Sequence, residues 1–152
     1  GSTPKLEESD VVEVLNNTSN YIKQRTSKNI LFNIENKNQS EIKAQLNVPL
    51  FEWAIENICR NAIDAMNGKG SLTIAVFEQE DNVYIDITDT GKGIQKSNFK
   101  TVFEPGFTTK ERGWGLGLSL TKRIIENYHN GKISVLQSEI NKGTTFRIVL
   151  NK

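Results

Sequence analysis

The sequence predicts a two-layer α/β sandwich, a mixed β-sheet covered on one face by about three helices. Three observations carry this expectation. Three stretches place apolar residues at helical spacing, and about six or seven short runs alternate apolar with polar residues. The alternating runs come mostly as neighbours joined by short polar turns, so hairpins outnumber parallel crossovers.

The first helix is expected from about Val11 to Arg25, with Val11, Val12, Leu15, Tyr21 and Ile22 as its apolar positions. Two alternating runs follow, Ile30 to Ile34 and Ile42 to Leu46. The polar stretch Glu35 to Ser40 between them has turn composition, so they read as a hairpin. From Pro49 to Met66 the period changes: Phe51, Ala54, Ile55, Ile58, Ala62, Ala65 and Met66 recur at three and four, which marks one buried helical face. Gly68 and Gly70 end that helix. Leu72 to Phe77 and Val83 to Thr88 then alternate on either side of the acidic turn Glu78 to Asn82 and should pair antiparallel.

Between Gly91 and Gly117 lies a segment rich in Gly, Thr and Lys, longer than most loops of a compact domain, as functional lids or disordered segments usually are. Helical spacing returns at Leu116, Leu120, Ile124, Ile125 and Tyr128 and stops at Asn130-Gly131. Two last strands, Ile133 to Gln137 and Thr144 to Leu150, flank the turn Asn141 to Gly143.

With 152 residues the chain can bury one core and is too short for two ordinary domains, so residues 3–152 are expected to form a single domain. Gly1 and Ser2 have the composition of a scar left by tag removal, which would make the chain an excised fragment. Lys and Arg total 19 against 18 Asp and Glu, a net charge of +1 that sets up no field to gather nucleic acid; a polyanion bound here must be held locally. The single cysteine, Cys59, forms no internal disulfide, and a reducing, cytoplasmic compartment fits best. No apolar run approaches the roughly 20 residues that span a bilayer.

Three groups of residues carry chemistry. Asn57, Asn61 and Asp64 fall at i, i+4 and i+7 of the Pro49 to Met66 helix, a polar stripe beside its apolar face. Amide oxygens suit Mg²⁺, a hard cation commonly shared with substrate phosphates, so Asn57 and Asn61 could hold a nucleotide's metal; alternatively they only solvate a helix edge. Next, DTGKGI (Asp89 to Ile94) follows a strand directly. Gly91 and Gly93 would let the backbone adopt positive φ and approach a flat ring, where the Asp89 carboxylate can accept the exocyclic amine of adenine. A generic Asp-Gly turn is the competing reading. Finally, RGWGLGLSL (Arg112 to Leu120) sets Gly113, Gly115 and Gly117 at alternate positions before a helix, an anion cradle in form. Upstream of it, FEPGFTTKERG offers Thr108, Thr109 and Lys110 as hydroxyl donors and a point charge for phosphate, or else a solvated loop. Neither GxGxxG behind a strand nor GxxxxGK[ST] occurs, so the dinucleotide fingerprint and the P-loop are absent.

Taken in order, NICRNAIDA (Asn57 to Ala65), DTGKGI, FEPGFTTK (Phe103 to Lys110), GWGLGL (Gly113 to Leu118) and KGTTF (Lys142 to Phe146) resemble the N, G1, F and G2 boxes and the closing Gly-Thr motif of histidine kinases. Catalytic domains of that family belong to the GHKL superfamily, with the Bergerat-type ATP-binding fold. The resemblance runs from about Pro49 to Leu150. It implies ATP and Mg²⁺ as cofactors: Asn57 and Asn61 as metal ligands, Asp89 on the adenine amine, Thr144 supporting the adenine through water, and Gly113, Gly115 and Gly117 along the phosphates. Lys110 would belong to the lid, with Asn57 and Asn61 as the other catalytic residues. Asp64, Gly91, Gly93, Ile94, Leu116 and Leu118 fall inside the matching motifs and join the nucleotide-binding set, as do Thr108 and Thr109.

Two positions depart from the pattern. Asp64 stands where many members carry a phosphate-touching Lys, which shifts that task to Lys110, Arg60 or Arg112. Trp114 stands where smaller residues are common, and either packs on the lid or flanks the nucleotide.

The resemblance implies phosphoryl transfer to a histidine on an upstream dimerisation domain, with a response regulator further on and a parent that can be anchored in the inner membrane. The fragment alone is expected to be monomeric and not to phosphorylate itself. Its only histidine, His129, sits at a helix end, where His commonly caps carbonyls and favours the dipole. A GHKL ATPase, an anti-sigma-type serine kinase and a degenerate nucleotide-binding module are the alternatives. Against hydrolysis, the position four residues before Asn61, where the ATPases of this fold carry a water-activating Glu, holds Asn57. Glu56 is one residue away, rotated by about 100° on the helix, and should point elsewhere.

Overall fold

The computed structural model describes residues 4–107 and 117–152. Helix α1 (Val11–Lys23) follows a four-residue strand, β1 (Glu7–Asp10), and starts where the Asp10 carboxylate accepts the Glu13 N–H at 3.1 Å. Its buried side chains Val11, Val14, Leu15, Thr18 and Ile22 recur at three and four, as the sequence spacing requires.

The expected hairpin after α1 does not form. Strand β2 (Ile30–Asn36) runs parallel to β4 (Gly70–Gln79), with Ile30 opposite Gly70, whereas β3 (Lys43–Leu46) leaves the main sheet and pairs antiparallel with β1. The Asn36 side chain turns the chain away at this point: its Oδ1 accepts the N–H groups of Asn38 and Gln39, and its Nδ2 donates to the Ser40 carbonyl at 2.7 Å. Alternation states that a segment has two unlike faces and leaves its partner unspecified. Here Ile30 takes a place on the main sheet while Ile42, Ala44 and Leu46 are buried from the second, small sheet.

Helix α2 (Val48–Met66) begins at Asn47, whose side chain accepts the Leu50 N–H at 3.1 Å, and ends on Asn67 in the left-handed conformation. Phe51, Ala54, Ile55, Ile58, Cys59, Ala62 and Met66 are buried; of the expected apolar face only Ala65 is part-exposed. Strands β4 and β5 (Asn82–Asp89) form the expected antiparallel hairpin. Two short 3₁₀ turns, Lys96–Asn98 and Thr101–Phe103, follow. Helix α3 (Gly117–Arg123) widens into a π turn at Ile124–Tyr128, and β6 (Lys132–Glu139) and β7 (Gly143–Asn151) close the chain.

The main sheet has the order β2-β4-β5-β7-β6, parallel only between β2 and β4, so the expected mixed sheet is present. One face meets the helices. Leu72 and Ile74, Ile85 and Ile87, and Phe146 and Ile148 join Phe51, Ile55 and Ile58 in one core, each such side chain contributing about 1.5–3 kcal/mol by burial. On the other face Phe77 stacks on Tyr84 with centroids 4.9 Å apart, and the Arg147 guanidinium grips both Asp86 oxygens at 2.7 and 2.8 Å. Among the described residues no helix is long and apolar enough to cross a membrane.

Candidate functional site

The polar stripe of α2 lines a cavity. Asn57, Asn61 and Asp64 border a space of about 550 Å³ together with Gly117 and Leu118 at the start of α3. The Asn57 Nδ2 donates to the Trp53 carbonyl one turn back at 2.9 Å, which turns its Oδ1 outward, and a Cβ built on Gly117 would stand 3.5 Å from that oxygen. An amide oxygen is thus presented across the cleft between α2 and α3, the donor type that a hard divalent cation accepts. Among the described residues no group of three or more His, Cys, Asp and Glu gathers for a metal, so a cation held here would rely on amide and ligand oxygens.

The second pole lies at one end of the helix-facing side of the sheet. Along β5 the inward residues run Val83, Ile85, Ile87 and then Asp89; along β7 they run Leu150, Ile148, Phe146 and then Thr144, which is paired with Asp89. The apolar stripe therefore ends in buried polar groups, with Asp89 4% and Thr144 4% exposed. The Asp89 Oδ1 accepts the Gly91 N–H at 2.8 Å, one of about four lone-pair positions of a carboxylate. Asp89 and Thr144 line a further space of about 410 Å³ that shares no lining residue with the α2–α3 cavity.

What joins the two poles is the loop after Asp89. The Lys92 N–H donates to the Ala65 carbonyl at 3.0 Å, and a Cβ on Gly91 would meet that same oxygen at 2.6 Å. Ala65 follows Asn57 and Asn61 at i+8 and i+4, so the loop rests on the end of the amide stripe. The glycines thereby acquire a different reason from the one expected. Gly91 is needed for close packing on α2. Gly93, at φ +81°, would carry its Cβ into the Glu139 carbonyl, and of this pair it alone has positive φ. Ile94 is held by its N–H, which donates to the Ser138 Oγ at 2.7 Å.

Thr108, Thr109, Lys110, Gly113, Gly115 and Leu116, together with Arg112 and Trp114, lie outside the described residues.

Residues 47–152 match the family described as Histidine kinase-, DNA gyrase B-, and HSP90-like ATPase. The chain belongs to this ATPase family. It is 42% identical over 96 residues to Sporulation kinase A of Bacillus subtilis, a match covering 63% of this chain and 16% of that protein. It is 40% identical over 94 residues to the sensor histidine kinase ZraS of Escherichia coli, covering 62% and 20%. The chain thus spans a fifth or less of these curated relatives. Among solved structures, the catalytic domain of histidine kinase ThkA superposes with a TM-score of 0.87 at 28% identity, over 97% of this chain and 96% of that one. ThkA in complex with the response regulator TrrA gives 0.83 at 26% identity, over 97% and 42%. The α/β architecture is that of histidine kinase catalytic domains of the GHKL superfamily.

Within this ATPase family the candidate site has two further supports, Ser138, which lies outside every motif, and Gly143 of the closing Gly-Thr motif. Ser138 is the chief one: its Oγ contacts the Thr144 Oγ1 at 2.7 Å, donates to the Gly143 carbonyl at 3.0 Å and receives the Ile94 N–H. It reaches the helix-facing side only because β6 shifts register between Val135 and Gln137, and no alternation pattern announces such a bulge. Gly143 is the other: a Cβ there, at φ +132°, would collide with the Asp89 carbonyl. Glu56 does not line the α2–α3 cavity, in keeping with its expected direction. His129 is buried, its Nε2 bonded to the Asn47 N–H and its Nδ1 to the Ile124 carbonyl.

Proposed function

We propose that the chain binds Mg-ATP and donates its γ-phosphate to a histidine on a separate dimerisation domain, as the ATP-binding part of a two-component sensor kinase. The observation that carries this reading is the seating of the Asp89–Ile94 loop on the α2 stripe that bears Asn57 and Asn61, which sets a buried carboxylate and a pair of amides on one support.

In this reading the Asp89 carboxylate accepts the adenine amine, and Thr144, positioned by Ser138, assists through water. Asn57 and Asn61 hold Mg²⁺ by their amide oxygens, and the bound metal supplies charge neutralisation at the phosphates. Thr108, Thr109, Lys110, Gly113 and Gly115, with Gly117, are assigned to the triphosphate on the strength of their motifs. Phosphoryl transfer asks the protein mainly for positioning and charge, and needs a nucleophile from elsewhere. His129 is unsuited to that role because both its ring nitrogens are engaged and the side chain is buried. The acceptor is therefore placed on another segment and a response regulator downstream of it, by analogy with the complex of ThkA with the response regulator TrrA. Hydrolysis is the weaker alternative: position 57 carries an amide that cannot act as a general base.

Incubation with γ-labelled ATP and Mg²⁺, with and without the cognate helical hairpin bearing the acceptor histidine, tests the proposal. Label is expected on the hairpin's histidine and on no residue of this chain. Release of free phosphate as the main product, independent of the hairpin, would favour the ATPase reading instead.

A further inference from the structure

The α2–α3 cavity does not stop at the amides. Its lining extends to the last turn of α1 and the residues that follow, with Tyr21, Arg25 and Thr26, and includes Arg60 of α2. Arg60 lies three residues after Asn57, a spacing that makes the two neighbours on the helix surface, and it lines the same cavity as Asn57 and Asn61.

Arg25 is pre-set. Its Nη1 donates to the Tyr21 carbonyl at 3.0 Å and its guanidinium lies 3.8 Å from the centroid of the Tyr21 ring. One of five N–H donors is thereby used, and the stacked plane holds the remainder of the fork in place. The turn beneath it is fixed too: Thr26 Oγ1 donates to the Ile22 carbonyl at 2.8 Å, and the Asn29 N–H donates to Ser27 Oγ at 3.1 Å. Among the described residues neither Arg25 nor Arg60 has a carboxylate within ion-pair distance, although the protein's other surface cations include several that do. Two guanidinium groups without carboxylate partners, one of them immobilised, thus border the cavity that also holds the outward amide oxygen of Asn57.

We propose that Arg25 and Arg60 form an anion subsite at the α1 end of this cavity, which takes the terminal phosphate of the nucleotide. The proposal rests on the nucleotide reading above and deepens it: Arg25, just past the end of α1 and outside every motif of the resemblance, joins Arg60 of α2 in telling a triphosphate from a diphosphate. Guanidinium forks suit this task because they offer paired N–H donors to two oxygens of one phosphate.

The test is a set of calorimetric titrations with Mg-ATP and Mg-ADP on the parent chain, on Arg25→Gln, Arg60→Gln and the double variant, and on Arg25→Lys. Each lost charge-assisted contact to phosphate corresponds to about tenfold in affinity. The double variant is therefore expected to lose ATP affinity by well over tenfold and ADP affinity by less than about threefold, with the ATP-to-ADP preference falling accordingly. Arg25→Lys should fall between parent and Arg25→Gln, because charge is kept and the stacked fork is lost. Thermal unfolding separates folding from binding; if Arg25→Gln is destabilised through its bond to Tyr21, Arg60→Gln alone decides. Equal losses for ATP and ADP, or none for either, would overturn the subsite while leaving the nucleotide reading intact. A parent chain that retains neither nucleotide would overturn both.

Discussion

The backbone N–H of Asn47 donates to Nε2 of His129 at 3.1 Å, across 82 residues of sequence. An accepting Nε2 carries no proton, so Nδ1 carries it and donates to the Ile124 carbonyl at 2.9 Å. Asn47 caps α2, and Ile124 opens the π turn that extends α3, so one imidazole pins together the ends of the two helices that border the amide cavity. The ring does cap a carbonyl at a helix end, as sequence reading expects, but as a neutral group rather than a cation serving the helix dipole.

His129→Ala leaves the part-buried Asn47 N–H without this partner, while the Ile124 carbonyl keeps the backbone N–H of residue 129. A loss of about 1–3 kcal/mol in unfolding free energy is expected from urea denaturation. A midpoint equal to that of the parent would contradict the role assigned to the ring.

Cys59 should behave as a buried thiol. It is fully inaccessible, and burial, with a smaller contribution from the Glu56 charge, pushes its pKa from 9.0 up to about 12. Below 9.0 the thiol is protonated in both folded and unfolded chains and its contribution to stability is fully present; between 9.0 and about 12 only the unfolded chain ionises, so stability falls as pH rises. The fall attributable to this group is about 1.4 kcal/mol per pH unit in that window. Denaturation curves of the parent against Cys59→Ala should therefore converge at alkaline pH, and a disulfide reagent at neutral pH should modify Cys59 only after unfolding. Rapid modification of the folded protein would refute this.

If Asn61 ligates the metal, Asn61→Ala should reduce nucleotide affinity about tenfold or more in Mg²⁺ and far less in EDTA, the loss of a bond to a charged partner being about 1.5–3 kcal/mol. Equal losses with and without metal would remove Asn61 from the metal site.

How far the sequence reached depended on whether the needed information was local. Helix α2 is legible almost to the residue from its apolar positions, which are local in sequence, although it ends on Asn67 rather than at Gly68 and Gly70. The β4–β5 and β6–β7 hairpins were equally legible, being closed by short turns. Strand β2 is legible as a strand but its pairing is not, because its partner, β4, lies forty residues on: Ile30 opposite Gly70. Strand β1, the tetrapeptide Glu7–Asp10, has no apolar alternation and is held by its backbone pairing with β3, so it left no signal. At the candidate site, Asp89, Asn57 and Asn61 could be named from residue type and spacing. Ser138 could not, because its direction depends on a bulge, nor could Arg25, because only the tertiary packing of α1 against α2 brings it to the cavity.

The most direct test of the account is the affinity of Asp89→Asn for Mg-ATP, measured by calorimetry beside the parent chain. Replacing the buried carboxylate by an amide removes a charge-assisted acceptor for the adenine amine, and the expected result is a loss of about 1.5–3 kcal/mol, roughly 10- to 150-fold, with an unfolding midpoint close to the parent's. Affinities that agree within error would show that Asp89 does not read adenine, and the proposed site would have to be abandoned.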